Sequence, residues 1–230
     1  MFDRELSAGD TLLNSNISSI ENNFVFEELP CDTFRLSSKY SLIDWAFNKN
    51  IYSVKRDDYT FVLNPVFDIR KGSGDFFSTR RGGYARGSIG SKFKWIKSFY
   101  ENYQSFDPRI TEIVKNTAVA PGEAEVKNPL GYFDYSVSSG GISYEFSKFF
   151  QLTGGHGKNF IGNGYRSLLL SDAAGNYPFL KSNIKIGRVN YSAVIAEFID
   201  FTNNLSADGL KQKKYGSFHY LDVLATKKLK

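Results

Sequence analysis

The chain has 230 residues, of which 41% are hydrophobic, and this composition excludes a wholly disordered protein. Its 21 Phe and 14 Tyr residues stand against a single Met, which favours strands over helical bundles. The net charge of +5 permits an anionic partner, but much of the surplus lies near the C-terminus. The other basic residues alternate with carboxylates or aromatics, so we predict a solvated surface and no nucleic-acid partner.

The few cysteine and histidine residues limit the possible chemistry. The only cysteine is Cys31, so an internal disulfide and a multi-cysteine metal site are excluded. With only His156 and His219, a histidine-based metal centre is not expected. We interpret Cys31, beside Pro30, as a packed or inert residue and predict neither a metal nor a cofactor.

The sequence contains no signal for a membrane-spanning helix. No stretch approaches the roughly 18 consecutive apolar residues that such a helix needs. The N-terminal sequence MFDRELSAGD lacks the basic head and apolar core of a secretory signal. Transmembrane β-strands are not excluded, because their signal is an alternation over segments of about ten residues.

The N-terminal segment, residues 1–38, is predicted to be weakly structured. Ser, Asn and acidic residues dominate it, and only 23–29 is strand-like. A short helix is predicted over 40–50, where Leu42 and Phe47 group on one side. Residues 39–230 are assigned to a single β domain, since they contain neither an internal repeat nor a clear domain boundary.

Alternation of polar and apolar residues predicts the first long strands. The run YTFVLNPVFDIRK, residues 59–71, is strand-like, and Pro65 within it requires an edge, a bulge or a position whose amide needs no partner. After a turn at KGSGD and the segment FFSTRRGGYARGSIG, the run SKFKWIKSFYENYQ alternates clearly. Its predicted faces are Phe93, Trp95, Phe99 and Tyr103 on one side and Lys92, Lys94, Ser98 and Asn102 on the other.

The middle of the chain is predicted to contain a helix and then a meander. Asp107 is expected to cap this helix, with Pro108 in the first turn. Strands are then predicted over 131–138, 141–147 and 149–155. A Ser-Gly-Gly turn is expected to join the first two of them.

Glycines crowd the segment that follows, at positions 154, 155, 157, 162 and 164. We predict that this run is neither a helix nor a regular strand, because glycine permits sharp turns and close approaches. A phosphate-binding loop is excluded, since Leu152 stands where it needs glycine and Asn159 where it needs Ser or Thr. A dinucleotide-binding fingerprint is excluded too, because Ser167 replaces its third glycine.

The last part of the chain adds a predicted hairpin and a final strand. The hairpin pairs 179–186 with 189–201 around Gly187-Arg188, and the final strand covers 215–223. Nearly every strand is thus linked to the next in sequence. We predict a mainly-β fold, an antiparallel up-and-down meander with one or two short helices.

Several segments, in a consistent order, carry a resemblance to a known family. The main one is GKNFIGNGYRSLLLSDAAGNYPFLK, residues 157–181, supported by YTFVLNPVFDIRKGSGD, RRGGYARGSIGSKF, FYEN and VAPGEA. Together they resemble the Wzi-like capsule-assembly family of bacterial outer-membrane β-barrels. The similarity is strongest to its Bacteroidetes branch, which includes gliding-motility-associated proteins.

This resemblance implies an incomplete outer-membrane β-barrel with an associated helical element, placed in the bacterial outer membrane and in contact with its lipid. The implied role is non-enzymatic and concerns surface (capsular) polysaccharide attachment or assembly, or gliding motility. Family members are longer and begin with a signal peptide, so the chain is expected to be a partial member. Unpaired sheet edges would then make the isolated piece prone to aggregate. The glycan and the oligomeric state are not indicated.

Glycan-binding residues are expected within the main segment of the resemblance. Aromatic faces stack on sugar rings, while amide, carboxylate and basic groups supply directed hydrogen bonds. The candidates are Lys158, Asn159, Tyr165, Arg166, Asp172 and Asn176. A structural role is the alternative, in which Arg166, Ser171 and Asp172 tie the loop to the barrel wall and 168–170 fill its interior.

Two other functions remain open from the residues alone. One is a soluble secreted β-sandwich that binds carbohydrate; the other is a glycoside-acting enzyme. Such an enzyme needs two carboxyls facing each other at about 5 to 9.5 Å, and the adjacent Asp57 and Asp58 would point to opposite faces of a strand. No nucleophile-elbow sequence is present, so we predict no catalytic residue.

Overall fold

The protein is represented by a computed structural model that describes residues 50–72, 76–127, 132–161, 170–171, 173–200 and 211–224. Within these ranges, one nine-stranded sheet accounts for all the named strands. The strands are β1 (Tyr52–Lys55), β2 (Tyr59–Lys71), β3 (Phe77–Ile89), β4 (Phe93–Gln104), β5 (Phe133–Ser147), β6 (Phe150–Gly157), β7 (Tyr177–Ile186), β8 (Val189–Ile199) and β9 (Lys213–Val223). The helix α1 (Pro108–Thr117) lies between β4 and β5.

The sheet is an up-and-down antiparallel meander, as the sequence predicts. Its spatial order from β1 to β9 is the order of the chain. Among the described residues β1 and β9 each pair with a single neighbour, so this sheet is not closed into a barrel. The predicted helix over 40–50, the predicted strand over 23–29 and the domain boundary after residue 38 lie outside the described residues.

Strict alternation gives this sheet two distinct faces. In β4 the predicted partition is confirmed, because Phe99 and Tyr103 are exposed whereas Ser98 and Asn102 on the opposite side are buried. We name the side of Ser98 and Asn102 the inner face and the other side the outer face. Because side chains opposite one another share a face, the pairing extends both faces across the sheet.

The outer face exposes many large apolar residues, and the inner face buries polar residues as well as apolar ones. The buried polar residues of the strands all belong to the inner face: Ser98, Asn102, Ser143, Thr153, Lys181, Asn190 and Ser192. The outer face instead exposes large apolar residues, among them Leu63, Phe67, Phe99, Ile142, Tyr144, Phe146, Leu180, Ile186, Ile195 and Leu221. Ile142 is 55% exposed, while its neighbour Ser143 is 2% exposed.

The predicted Ser-Gly-Gly turn in the middle of β5 is wrong, because β5 is one continuous strand. Neither Gly140 nor Gly141 has a positive φ, which a tight hairpin turn would need. Both glycines are instead held between two neighbouring strands, Gly140 opposite Lys97 and His156. A Cβ on Gly140 would lie 2.9 Å from the backbone oxygen of Ile96, so glycine allows close strand approach here.

The predicted strand over 149–155 is confirmed as β6, but it continues through Gly157 into the run that was predicted not to be a regular strand. Gly154, Gly155 and Gly157 belong to β6, which pairs with β5 on one side and β7 on the other. This ladder satisfies their backbone groups, and hydrogen bonding to two neighbours overrides the low strand propensity of glycine. His156 consequently lies on the exposed outer face, where its Nδ1 is 3.0 Å from the carbonyl oxygen of Ser138.

Other predicted details are confirmed. Pro65 lies in β2 beyond the segment paired with β1, whose last pair is Tyr52 with Leu63. The hairpin of β7 and β8 turns at Gly187, whose φ is 57°. The side chain of Asp107 accepts a hydrogen bond from the backbone of Arg109 at 3.0 Å and so caps α1.

Two apolar clusters rest against the inner face. In one, Val114 of α1 packs with Phe133 and Tyr135 of β5. In the other, Ile161 and Leu170 pack against β7 and β8, and Ile96 of β4 joins them from the far side. Ile161 and Leu170 form an isolated bridge, which brings both ends of the intervening segment over the inner face. Among the helical residues that the structure describes, no helix is long and apolar enough to span a membrane.

Adjacent glycines in β6 provide a test of the close packing between strands. A Cβ on Gly155 would lie 2.5 Å from the carbonyl oxygen of Gly140, whereas a Cβ on Gly154 has its nearest contact at 3.6 Å. We expect Gly155→Ala to lower the free energy of unfolding by about 1–3 kcal/mol, as overpacking does. Gly154→Ala is the matched control and should be neutral or slightly stabilising. Urea unfolding of both variants measures this, and equal effects would contradict the packing.

Candidate functional site

Backbone segments distant in sequence converge beside the end of β6. The Nζ of Lys158 donates a hydrogen bond to the carbonyl oxygen of Gly122. Gly122 has φ 73°, and a Cβ there would lie 2.9 Å from the carbonyl oxygen of Ala173. A Cβ on Gly175 would lie 3.2 Å from the oxygen of Glu123. The turn around Gly122 therefore packs directly on the backbone at 173–175, and Lys158 at the end of β6 bonds to the same turn.

Asn159 is the most informative of the predicted glycan-binding residues. It is 1% exposed, and its backbone N–H donates to the Tyr177 hydroxyl at 3.0 Å. Among the residues that the structure describes, neither Nδ2 nor Oδ1 of its side chain has a hydrogen-bond partner. Leaving a buried polar group unpaired costs about 1–3 kcal/mol. A group that entered this position with a donor and an acceptor would recover that free energy, as a sugar hydroxyl can.

The other described candidates hold the protein's own backbone. Asn176 donates from Nδ2 to the carbonyl oxygen of Ser138 at 2.8 Å, and Lys158 is engaged with Gly122. Ser171, which the structural alternative named, accepts a hydrogen bond from the backbone N–H of Ala173 at 3.2 Å. Leu170 is buried in an apolar cluster on the inner face. Tyr165, Arg166 and Asp172 lie outside the described residues.

A polar cluster on the inner face was missed by sequence reasoning. We name it the Arg80 cluster, and its members are Arg80, Asn102, Gln104, Glu123 and Tyr135. Arg80 donates from Nε to Oδ1 of Asn102 at 2.7 Å, and its Nη2 lies 3.7 Å from Oε1 of Glu123. Gln104 donates to the Tyr135 hydroxyl at 2.8 Å. Nδ2 of Asn102 is buried without a hydrogen-bond partner, a second unpaired amide on this face.

Part of the Arg80 cluster had a signal in the sequence. Asn102 alternates with the aromatic residues of β4, and this pattern predicts that Asn102 lies on the opposite face from them. The pattern does not predict that Asn102 bonds to Arg80. The contact between Arg80 and Glu123 depends on how the turn after α1 folds back over β3, and no local pattern encodes that. Long-range pairings of this kind require the register of the whole sheet.

The described residues offer little conventional catalytic or metal chemistry. Within these ranges, no three His, Cys, Asp or Glu side chains group as a metal site would need. A serine–histidine contact does occur, between Ser217 Oγ and His219 Nε2 at 2.9 Å, with Nδ1 2.6 Å from the Tyr191 hydroxyl. All three residues lie on the exposed outer face. There the imidazole, stacked on the Tyr191 ring, links β9 to β8.

Comparison with known proteins adds no assignment. No family model matches this chain, and no curated protein and no solved structure matches it. The family resemblance therefore stays a prediction carried by sequence segments alone. Three of those segments do meet at this site, since RRGG supplies Arg80, VAPGEA supplies Gly122 and Glu123, and GKNF supplies Lys158 and Asn159.

Replacing Asn159 tests whether its amide is held for a ligand. Leucine keeps the branch at Cγ and removes both unpaired polar atoms, so Asn159→Leu should raise the free energy of unfolding of the ligand-free protein by about 1–3 kcal/mol. Asn176→Leu is the control and should instead destabilise, by about 1 kcal/mol, because it removes a hydrogen bond that is made. Denaturant unfolding measures both. Destabilisation by both Asn159→Leu and the smaller Asn159→Ala would show that the amide stabilises the fold itself.

Proposed function

We propose that this chain forms part of the wall of a bacterial outer-membrane β-barrel that attaches or organises surface polysaccharide without catalysing a reaction. Capsule assembly and gliding motility are the two processes that the family resemblance suggests. The observation that carries the proposal is the exposed apolar outer face of the sheet. Large apolar residues are exposed there, whereas the inner face buries polar residues alongside its two apolar clusters.

Lipid contact gives this arrangement a physical reason. Contiguous apolar patches larger than a few hundred Å² are rare on soluble monomers and mark interaction surfaces. Barrel strands in membranes alternate apolar side chains toward lipid with polar side chains toward the interior. A span needs about 9–11 tilted residues. The strands from β2 to β5 contain 13, 13, 12 and 15 residues, so each is long enough.

Charges on the outer face support the same orientation. Arg81 and Glu101 are directly opposite and form an ion pair at 2.9 Å. They lie in the same cross-strand row as Phe67, whereas Ile142 lies in a row with Trp95 and Leu180. The first row fits the edge of an apolar band and the second lies within it. Lys97, in the outer-face row next to Ile142, donates a hydrogen bond to the Ser138 hydroxyl at 2.6 Å. Charges are tolerated near the interfaces and excluded from the membrane midplane.

Polysaccharide binding is supported by the inner face. Sugar rings are recognised by aromatic faces together with fixed hydrogen-bonding groups, and this face carries both. Asn159 offers a buried donor and acceptor without partners next to Tyr177. The Arg80 cluster adds a guanidinium positioned 5.5 Å from the centre of the Tyr100 ring. We propose that the glycan contacts these groups.

A lysine placed on the outer face tests the lipid contact. With the protein folded into phospholipid vesicles, Ile142→Lys should lower the free energy of unfolding by about 2–4 kcal/mol, as expected near the midplane. Phe67→Lys is the matched control at a site 79% exposed and should cost about 0–1 kcal/mol, as near an interface. Tryptophan fluorescence during denaturant unfolding gives both values.

The alternative outcomes of this experiment separate the competing functions. If both lysines change stability by less than about 0.5 kcal/mol, the outer face contacts water and the membrane proposal fails. If the protein folds without detergent and Ile142→Lys destabilises it there, the outer face is covered by protein, as in a β-sandwich. Hydrolysis of a polysaccharide or an ester that Ser217→Ala or Glu123→Gln abolishes would refute the non-enzymatic part.

A further inference from the structure

The inner face also holds a basic pocket away from Asn159. It has a volume of about 260 Å³ and lies over β1 to β4. Its cations are Lys55, Arg86 and Lys94, and no carboxylate is among the described residues that line it. Val62 and Ile96 provide its apolar lining.

Strand register brings these cations together. Lys55, Thr60, Ser88 and Lys94 are successive partners across β1, β2, β3 and β4, so they form one row on the inner face. Directly opposite side chains in such a row have Cβ atoms about 4.5–5.5 Å apart. Arg86 belongs to the next row, opposite Val62 and Ile96. The row therefore carries a cation at each end, with Arg86 beside the hydroxyls between them.

The hydrogen bonding within the pocket leaves positive charge uncompensated. Thr60 and Ser88 bond to each other through their hydroxyls at 2.7 Å. Lys94 is 3.3 Å from Glu145, so its charge is partly balanced. Within the described part of the chain, neither Lys55 nor Arg86 forms an ion pair or a side-chain hydrogen bond. The nearby carboxylates of the β1–β2 turn, Asp57 and Asp58, are not among the residues lining the pocket.

We infer that this pocket binds an anionic group of the polysaccharide, so that the glycan handled by this protein is a polyanion such as a polyuronate. Arg86 supplies the fork of donors that matches a carboxylate, and Lys55 supplies a point charge. The apolar surface of Val62 and Ile96 accommodates the carbon face of the sugar ring that bears this group. The inference rests on the proposed function and specifies the chemical class of its glycan.

Binding of defined saccharides tests the inference. Calorimetric titration of the protein folded in detergent micelles would use an oligogalacturonate and, as the neutral probe, a galactose oligomer of equal length. The oligogalacturonate should bind at least tenfold more tightly. The double variant Lys55→Gln/Arg86→Gln should weaken that binding by about tenfold or more, because charge-assisted hydrogen bonds are lost. Lys94 is left in place because replacing it would leave the Glu145 carboxylate without its ion-pair partner.

The matched control removes two positive charges from the opposite face. Lys71 and Lys97 both lie on the outer face, at the end of β2 and within β4 respectively. Lys71→Gln/Lys97→Gln should leave oligogalacturonate affinity within about twofold, since any general attraction by net charge changes equally in both variants. Equal weakening by the two double variants would overturn the inference.

Additional titrations distinguish this inference from simple phosphate binding, from binding of neutral glycans and from the membrane proposal. Inorganic phosphate should compete weakly, and only in proteins with Lys55 and Arg86 intact; binding of phosphate without any binding of oligogalacturonate would overturn the saccharide assignment. Equal binding of the neutral and acidic oligomers would overturn the polyanion class while leaving polysaccharide binding intact. Failure of the membrane proposal would show instead in the Ile142→Lys experiment, which does not depend on this pocket.

Discussion

The continuous hydrogen-bonded ladder between neighbouring strands is the constraint on which the rest of this structure depends. From β2 to β8 every strand has a partner on both sides, so the backbone groups of the wall are satisfied by the wall itself. The ladder therefore does not require either face to be uniformly polar or uniformly apolar. Its inner face can carry Lys181, Asn190 and Ser192, and its outer face can expose Ile195 and Leu221.

Close approach of the strands follows from their small residues. Gly87 would place a Cβ 2.9 Å from the indole of Trp95, so the aromatic ring covers the gap that glycine leaves. At Gly140 and Gly155 the neighbouring backbone itself makes the close approach, since a Cβ on Gly155 would lie 2.5 Å from the carbonyl oxygen of Gly140. These glycines weaken local strand propensity but permit close contact between strands.

The polar inner face connects this architecture to ligand chemistry. Where its groups find partners, as in the Arg80 cluster, they hold the turn after α1 against the sheet. The Asn159 side-chain amide has no partner among the described residues. The Arg86 guanidinium lines the basic pocket without an ion pair there. At Asn159, where the unpaired amide is buried, this costs stability in the ligand-free protein.

Period-two patterns determined much of the fold from the sequence alone. The partition of β4 into two faces, the β7–β8 hairpin and the capped start of α1 are all local, because alternation and capping act between near neighbours. The strand order is the predicted one, in which each strand pairs with the next in sequence. The same local rules failed at Gly140 and at the end of β6, where glycine indicated a turn or loop and strand pairing imposed a strand.

Only the tertiary structure decided what each candidate residue does. Lys158 and Asn176 were chosen for their hydrogen-bonding groups, but the loop packing directs them to backbone oxygens and leaves Asn159 unpaired. The row from Lys55 to Lys94 and the contact of Arg80 with Glu123 depend on register between segments far apart in sequence. Residue type and the alternation of polar and apolar residues are local properties of the sequence, so they predict which face a side chain occupies. Its contact partners depend on the register between strands that are far apart in sequence.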